Sequence, residues 1–214
     1  ERQMSANIAC RGWLQTAWQQ GAPFNKFCPR DTVDGGRSYV GCAATAVAQV
    51  LNYHRQGSVT FGPNDSYTMY SGMRMDADCS LYDFPSFATL NRYVEAVQSA
   101  YSAGADLNDV EAAALNFASG VAVQMDYSSE GSGASSYDMQ SAMLDKFGFH
   151  STEMYGALSA ESYLLLQENM INRLPALLGL SPADGWGGHV LVCDGYNTDG
   201  EYHLNFGWGA SSPQ

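Results

Sequence analysis

A chain of 214 residues is long enough to bury a full core, in one domain or in two lobes that share a cleft. Its composition, 45% hydrophobic and 15% charged, excludes a disordered polyelectrolyte. A net charge of −12, with Lys26 and Lys146 its lysines, argues against a nucleic-acid partner, because such a field repels phosphate backbones.

No apolar run is long enough to cross a bilayer as a helix, and no signal-peptide pattern precedes the fold. The chain starts at Glu1 without a methionine, as expected of a processed mature form or a trimmed one. Cysteines stand at 10, 28, 42, 79 and 193. The odd number suggests a secreted protein with one reactive thiol and up to two disulfides; the alternative is five reduced thiols in a cytoplasm.

In chain order, the pattern first predicts a short helix from Ile8 to Gln19, with Trp13, Leu14, Ala17 and Trp18 on its apolar side. Gly21-Ala22-Pro23 breaks it. Gln20, at that break, carries an amide suited to donating a hydrogen bond to a developing oxyanion, though by itself it reads as an ordinary solvated residue rather than a functional one. A loop from Arg30 to Ser38 leads to the next helix, which runs on from Cys42-Ala43-Ala44-Thr45-Ala46 toward His54. Apolar positions 43, 46, 47, 50 and 51 form one stripe, and the alanines permit close approach by a packing partner. Cys42 follows Gly41 at the head of this helix. There the unpaired N–H groups and the positive end of the dipole favour a thiolate, whereas a lone cysteine would otherwise be read as filling space.

Residues 57–84 read as an irregular surface crossing. Helices are predicted over Phe87–Ala103 and Asp109–Ala118, the second capped by Asp106 or Asn108. A strand is expected over Val121–Tyr127, then a loop of small residues from Ser128 to Ser136 that is either flexible or in contact with a ligand. A helix over Tyr137–Phe147, a strand-like piece from Phe149, a Ser159-capped helix over Ala160–Asn172 and a buried strand at Pro175–Leu180 follow. Cys193 lies in the apolar run Val190–Cys193 and reads as a buried strand residue. Two strand-like runs, the first started by His189 and reaching Tyr196 and the second within Glu201–Gly209, read as a β-hairpin joined by a turn that ends in Asp199-Gly200.

His189 begins that hairpin directly after Gly187-Gly188, and Asn205 lies on the returning strand. An amide there can accept a hydrogen bond from one ring nitrogen, fix the tautomer and aim the other nitrogen at a thiol. His54 shares a helix with Cys42 but lies about 18 Å along it, too far to act as its base. His150 has no motif around it. His203 is the rival to His189, but a Cys–His–Asn order with His 147 residues beyond Cys42 fits His189 better.

These residues resemble the streptopain family of papain-like cysteine peptidases. The resemblance is carried by Val40-Gly41-Cys42-Ala43-Ala44-Thr45-Ala46 running on to Tyr53-His54, by Gly188-His189-Val190-Leu191-Val192-Cys193-Asp194-Gly195 and by Tyr202-His203-Leu204-Asn205-Phe206-Gly207-Trp208-Gly209. Trp18-Gln19-Gln20 with Pro23-Phe24-Asn25, and Met125-Asp126-Tyr127 before the Gly/Ser loop, add to it. Together the motifs fall in order from near residue 13 to residue 209. The resemblance implies an α+β papain-like fold with a helical lobe and an antiparallel sheet lobe around a cleft, residues 1–214 forming one catalytic domain without its propeptide. It implies Cys42 as nucleophile, His189 as base, Asn205 and the Trp208 segment as supports for the histidine, and Gln20 with the Cys42 N–H as oxyanion donors. Ser132, Gly133, Ala134, Gly188 and Trp208 would line the substrate groove, which in this family favours an apolar residue at the second position before the cut. No metal or organic cofactor is implied. The implied partners are protein or peptide substrates and an inhibitory propeptide, and the implied location is outside the cell. The sequence departs from the family in carrying Phe206 where Trp is frequent, and in ending at Ser211–Gln214 where members continue into a further strand.

Two other readings use the same residues. A transglutaminase-type acyltransferase would pass the acyl group to an amine in place of water. A secreted binding module would keep the fold without turnover, but has no need of Cys42, His189, Asn205 and Gln20 together.

Overall fold

The computed structural model describes residues 12–156, 159–181, 187–197 and 199–210. Its centre is helix α1, Cys42–Tyr53, which begins where Gly41 takes φ +89°, and it buries every residue from Ala43 to Leu51. Helix α3, Asp109–Ala122, lies against it with its own alanine-rich run, Ala112 to Ala114 and Ala118, all buried. Small side chains on both helices let them pack closely, and α2, Phe87–Ser102, covers the far side of α3 with Leu90, Val94, Val97 and Tyr101. Local chemistry sets the starts of these helices. Ser86 accepts the Thr89 N–H at the head of α2, and Asn108 and Glu111 cap α3 reciprocally. Helix α4, Ser136–Ser141, widens into a π turn over Ala142–Lys146, and α5, Ala160–Ile171, starts from the Ser159 cap.

Three antiparallel strands, β1 (Ala176–Leu180), β2 (His189–Tyr196) and β3 (Tyr202–Asn205), form a sheet with β2 in the middle. Its register pairs Leu180 with His189 and Val192 with Asn205. β2 is buried on both faces. Val192 joins the main core, next to which α1 packs, whereas Cys193 joins Leu166 and Met170 of α5 in a second, smaller core. Burial on both sides is why this strand is a continuous apolar run rather than an alternating one.

Asp194 interrupts the ladder as a bulge between the pairs Cys193–Leu204 and Gly195–His203. Its carbonyl, freed from β3, accepts the Trp13 N–H at 2.8 Å, and its buried carboxylate accepts the Leu14 N–H at 2.7 Å and His203 Nδ1–H at 2.6 Å.

That bulge accounts for the first correction. Residues 12–19 are not helical, because the N–H groups of Trp13 and Leu14 are spent on Asp194; residues 8–11 of the expected helix, with Cys10, lie outside the described residues. The strand expected at Val121–Tyr127 is also absent. α3 continues to Ala122, Gln124 turns at φ 51°, and only Asp126 bridges, to Gly133. No strand forms from Phe149 through Gly156, and β1 is half-buried rather than buried. Asn108, not Asp106, caps α3, and the hairpin and remaining helices lie close to their expected spans. Cys28, Cys42 and Cys79 are free thiols, so no disulfide joins Cys28 to Cys79; Cys193 is fully buried with Sγ 3.7 Å from Met170 Sδ. Burial pushes the Cys28 thiol far up, which makes it inert. The chain end at Ser211–Gln214 lies outside the described residues. Among those described, no helix is long and apolar enough to cross a membrane.

Candidate active site

Cys42 is the first residue of α1 and is partly exposed, although the residues that follow it are buried. The approach to it is held from both sides. Val40 N–H donates to the Gln20 carbonyl at 2.9 Å, and Tyr39 N–H donates to the Ser128 carbonyl at 3.1 Å. Ser132 Oγ donates to the Tyr39 carbonyl at 2.7 Å. Gly41 is required here, since a Cβ would sit 2.7 Å from Met125 Sδ and Cε and 3.1 Å from the Ser132 carbonyl oxygen. The segment with Gln20 and the Ser/Gly loop therefore flank the residues that present the thiol.

The same loop is anchored from beneath by Asp31, a buried side chain that accepts the Val33 N–H at 2.8 Å and the Ser129 N–H at 2.7 Å. Those two backbone donors, Val33 first, hold the Asp31 carboxyl below its usual range. Gly133 pairs with Asp126 through both backbone hydrogen bonds, Ala134 packs on the core and Gly133 stays exposed. Gly188 and half of Trp208 are exposed.

His189 opens β2. Its Nε2 is 2.9 Å from the Phe206 carbonyl oxygen, and since a carbonyl can only accept, Nε2 carries the proton and Nδ1 is left as the basic nitrogen. The ring stacks on Phe206, with centroids 5.9 Å apart and planes at 10°, and lies 5.1 Å from Trp208. Phenylalanine at 206 thus still supplies an aromatic face for the histidine.

Asn205 requires a correction. It does not accept from the His189 ring. Its Oδ1 instead accepts Gly207 N–H at 3.0 Å and Gln49 Nε2–H at 3.3 Å, while its Nδ2 donates to Gln49 Oε1 and the Thr16 carbonyl. The reason is burial. At 2% exposure the Asn205 amide needs partners for both ends, and Gln49 of α1, the Gly207 N–H and the Thr16 carbonyl provide them. The acceptor for the histidine is the backbone carbonyl one residue on.

Cys42 and His189 are linked through α1. Gly207, at φ +67°, lies so near Thr45 that an added Cβ would sit 3.1 Å from its Cγ2, and Asn205 bonds Gln49, so the turn after β3 sits over residues 45 and 49. Positions 42, 45 and 49 follow i, i+3, i+7 spacing on one helix face. The Gln20 segment closes the arrangement. Gln19 bridges Trp208, and Gly209 N–H donates to the Trp18 carbonyl at 3.2 Å. His203 is engaged by Asp194 through Nδ1. His54 ends α1, with its ring against Phe149, and burial lowers its basicity.

Gln49 and the Phe206 carbonyl are the parts sequence reasoning missed. The carbonyl leaves no trace in residue identity. Gln49 did leave one: an amide in the middle of a helix whose other interior positions are small or apolar. Among the described residues no group of three or more His, Cys, Asp or Glu side chains is arranged to hold a metal ion.

The model of the peptidase C10 family matches residues 18–213. The chain is 28% identical over 201 residues to the thiol protease/hemagglutinin PrtT of Porphyromonas gingivalis, covering 91% of this chain and 22% of that protein. It is 26% identical over 215 residues to streptopain of Streptococcus pyogenes serotype M1, covering 91% of this chain and 51% of streptopain. The chain therefore spans about half the length of streptopain and about a fifth of PrtT. Among solved structures, active wild-type interpain A, a cysteine protease of Prevotella intermedia, superposes with a TM-score of 0.68 at 29% identity, covering 93% of this chain and 82% of that one. A prointerpain A fragment gives a TM-score of 0.65 at 25% identity, covering 95% and 67%. The α+β, papain-like fold is thereby established.

Proposed function

The chain belongs to the peptidase C10 family, a cysteine peptidase by class, and from that premise we propose that it cleaves internal peptide bonds with Cys42 as nucleophile and His189 as base. The observation that carries this reading is the His189 Nε2–H bond to the Phe206 carbonyl, which leaves Nδ1 free for a thiol proton on a turn that rests on the helix headed by Cys42.

The Sγ–H proton passes to His189 Nδ1, and the thiolate attacks the substrate carbonyl carbon to form the C–S bond. The N–H groups at the head of α1 favour the negative sulfur. Charge moves to the carbonyl oxygen, where the Gln20 amide and the Cys42 backbone N–H donate to it. The C–N bond then breaks as His189 gives its proton to the leaving amine. Water next loses a proton to Nδ1 and attacks the thioester, releasing the acid and restoring the thiol. Ser132, Gly133 and Ala134 on one side, and Gly188 and Trp208 on the other, bind the substrate chain, with an apolar side chain seated at the second position before the cut. The domain is secreted and held inactive by a propeptide before maturation, as the existence of a pro-form of interpain A supports.

The test is turnover of a fluorogenic peptide panel under reducing conditions, with and without a thiol-directed epoxide, beside Cys42→Ala, His189→Ala and His203→Ala. Inhibitable turnover lost in the first two variants and kept in the third is expected. Activity that survives His189→Ala, or ammonia release from glutamine without chain cleavage, would overturn it.

A further inference from the structure

We infer that Gln49 is a positioning residue for this reaction, setting the direction of the His189 ring through Asn205 and the Phe206–Gly207 peptide. The inference rests on the Cys42–His189 reading above. Gln49 is fully buried, and both ends of its amide are engaged. Nε2–H donates to Asn205 Oδ1 at 3.3 Å, and Oε1 accepts Asn205 Nδ2–H at 3.2 Å and the Thr16 hydroxyl at 2.8 Å. A reciprocal amide pair of this kind locks both planes, because each side chain is at once donor and acceptor to the other.

What the pair holds decides the consequence. Asn205 Oδ1 accepts the Gly207 N–H, and the carbonyl on the other end of that same peptide unit belongs to Phe206. In a planar trans peptide the C=O and N–H point in opposite directions. Holding the N–H toward Asn205 therefore turns the carbonyl outward, where it accepts from His189 Nε2 at 2.9 Å. The tautomer that leaves Nδ1 basic depends on the direction of this one carbonyl, and that direction depends on Asn205, which in turn is oriented by Gln49.

Gln49 also ties the three candidate catalytic segments together. It stands seven residues beyond Cys42, close to two full turns, and so on the same face of α1. Its partner Asn205 ends β3, immediately before the turn that meets His189, and its partner Thr16 lies four residues before Gln20. A shift in this amide is transmitted to base, nucleophile and oxyanion donor alike.

The test uses Gln49→Glu and Gln49→Met. The first keeps an acceptor for Thr16 and for Asn205 Nδ2 and, while ionised, has no donor for Asn205 Oδ1. The second keeps the side-chain length and removes the hydrogen bonds. Each is compared with wild type for thermal midpoint, for kcat and KM on a cleaved fluorogenic peptide, and for the pH dependence of Cys42 alkylation by iodoacetamide, followed by mass spectrometry of the labelled peptide. The expected result is kcat lower by about 10- to 100-fold with KM within about twofold, since a misplaced catalytic group costs on that scale. Cys42 alkylation at pH 5–6 should fall with it, because the histidine no longer holds the thiol proton in the reactive geometry.

A folded Gln49→Met with wild-type kcat and a wild-type alkylation profile overturns the inference, and Gln49→Glu assayed above neutral pH decides it if Gln49→Met does not fold. The alkylation profile of the wild type separates this from the underlying reading. Reactivity at pH 5–6 in the wild type with unchanged variants removes Gln49 alone. Wild-type reactivity that rises only through pH 8–9, as for an ordinary thiol, removes the Cys42–His189 pair and Gln49 with it.

Discussion

Replacing Asp194 by Asn tests the bulge that joins the N-terminal segment to the sheet. Asp194 is fully buried, and its two carboxylate oxygens serve two donors, Leu14 N–H at 2.7 Å and His203 Nδ1–H at 2.6 Å. Asparagine has one acceptor oxygen and must turn an NH2 group toward the second donor. His203 Nδ1 accepts from that NH2 once the imidazole carries its proton on Nε2, so both bonds persist but fall from charge-assisted to neutral strength, a loss of about 1 kcal/mol each. The sum is about 2 kcal/mol, which for a chain of this size lowers the midpoint by roughly 4–8 °C. Thermal unfolding in a Cys42→Ala background, where self-digestion cannot interfere, measures it. Hydrogen exchange at Leu14 should report lost protection at the same time. A midpoint within 2 °C of the parent with Leu14 still protected would refute the reasoning. The prediction also separates the two histidines. If His203 and Asp194 were the catalytic pair, Asp194→Asn in the Cys42 enzyme would abolish thiol reactivity at low pH, whereas the His189 assignment expects the folded fraction to keep it.

Gly41→Ala should cut turnover at least tenfold, since φ +89° costs a non-glycine residue about 1–3 kcal/mol and the new Cβ meets Met125 and the Ser132 carbonyl; full activity at an unchanged midpoint would contradict this. Gly207→Ala places a methyl 3.1 Å from Thr45 Cγ2 at φ +67°, and is expected to lower kcat more than it raises KM as the Phe206 carbonyl is displaced; a pure KM effect would argue against it. The Asp31 carboxyl, held below its ordinary 3.8 by the Val33 and Ser129 N–H groups, stabilises the Ser/Gly loop above that pH, and the stabilisation is lost as pH falls through the depressed folded value. Exchange at the Ser129 amide should therefore rise below about pH 4 in the wild type and show no such acid dependence in Asp31→Asn; identical profiles would remove Asp31 as the anchor.

Cys42, Gly41 and the alanine stripe of α1 were legible as residues, because helix periodicity and the chemistry of a helix N-terminus are local properties of the chain. So were the β2–β3 hairpin, the Ser159 cap and His189 after its glycines. Three things were not. The segment after Gly12 reads as a helix, yet its N–H groups go to Asp194, some 180 residues away, and periodicity carries no information about so distant an acceptor. Val121–Tyr127 reads as a strand by β-propensity, yet the cap at Asn108 and the packing of α3 on α1 extend the helix into it. The orientation of His189 was sought in the nearest amide side chain, Asn205, but a buried amide takes whatever partners its surroundings offer, and here those are Gln49 and a backbone N–H. The sequence determines which groups are present and how each short stretch prefers to fold. Only the tertiary structure decides which buried donor meets which acceptor, because that pairing depends on the simultaneous placement of segments far apart in the chain.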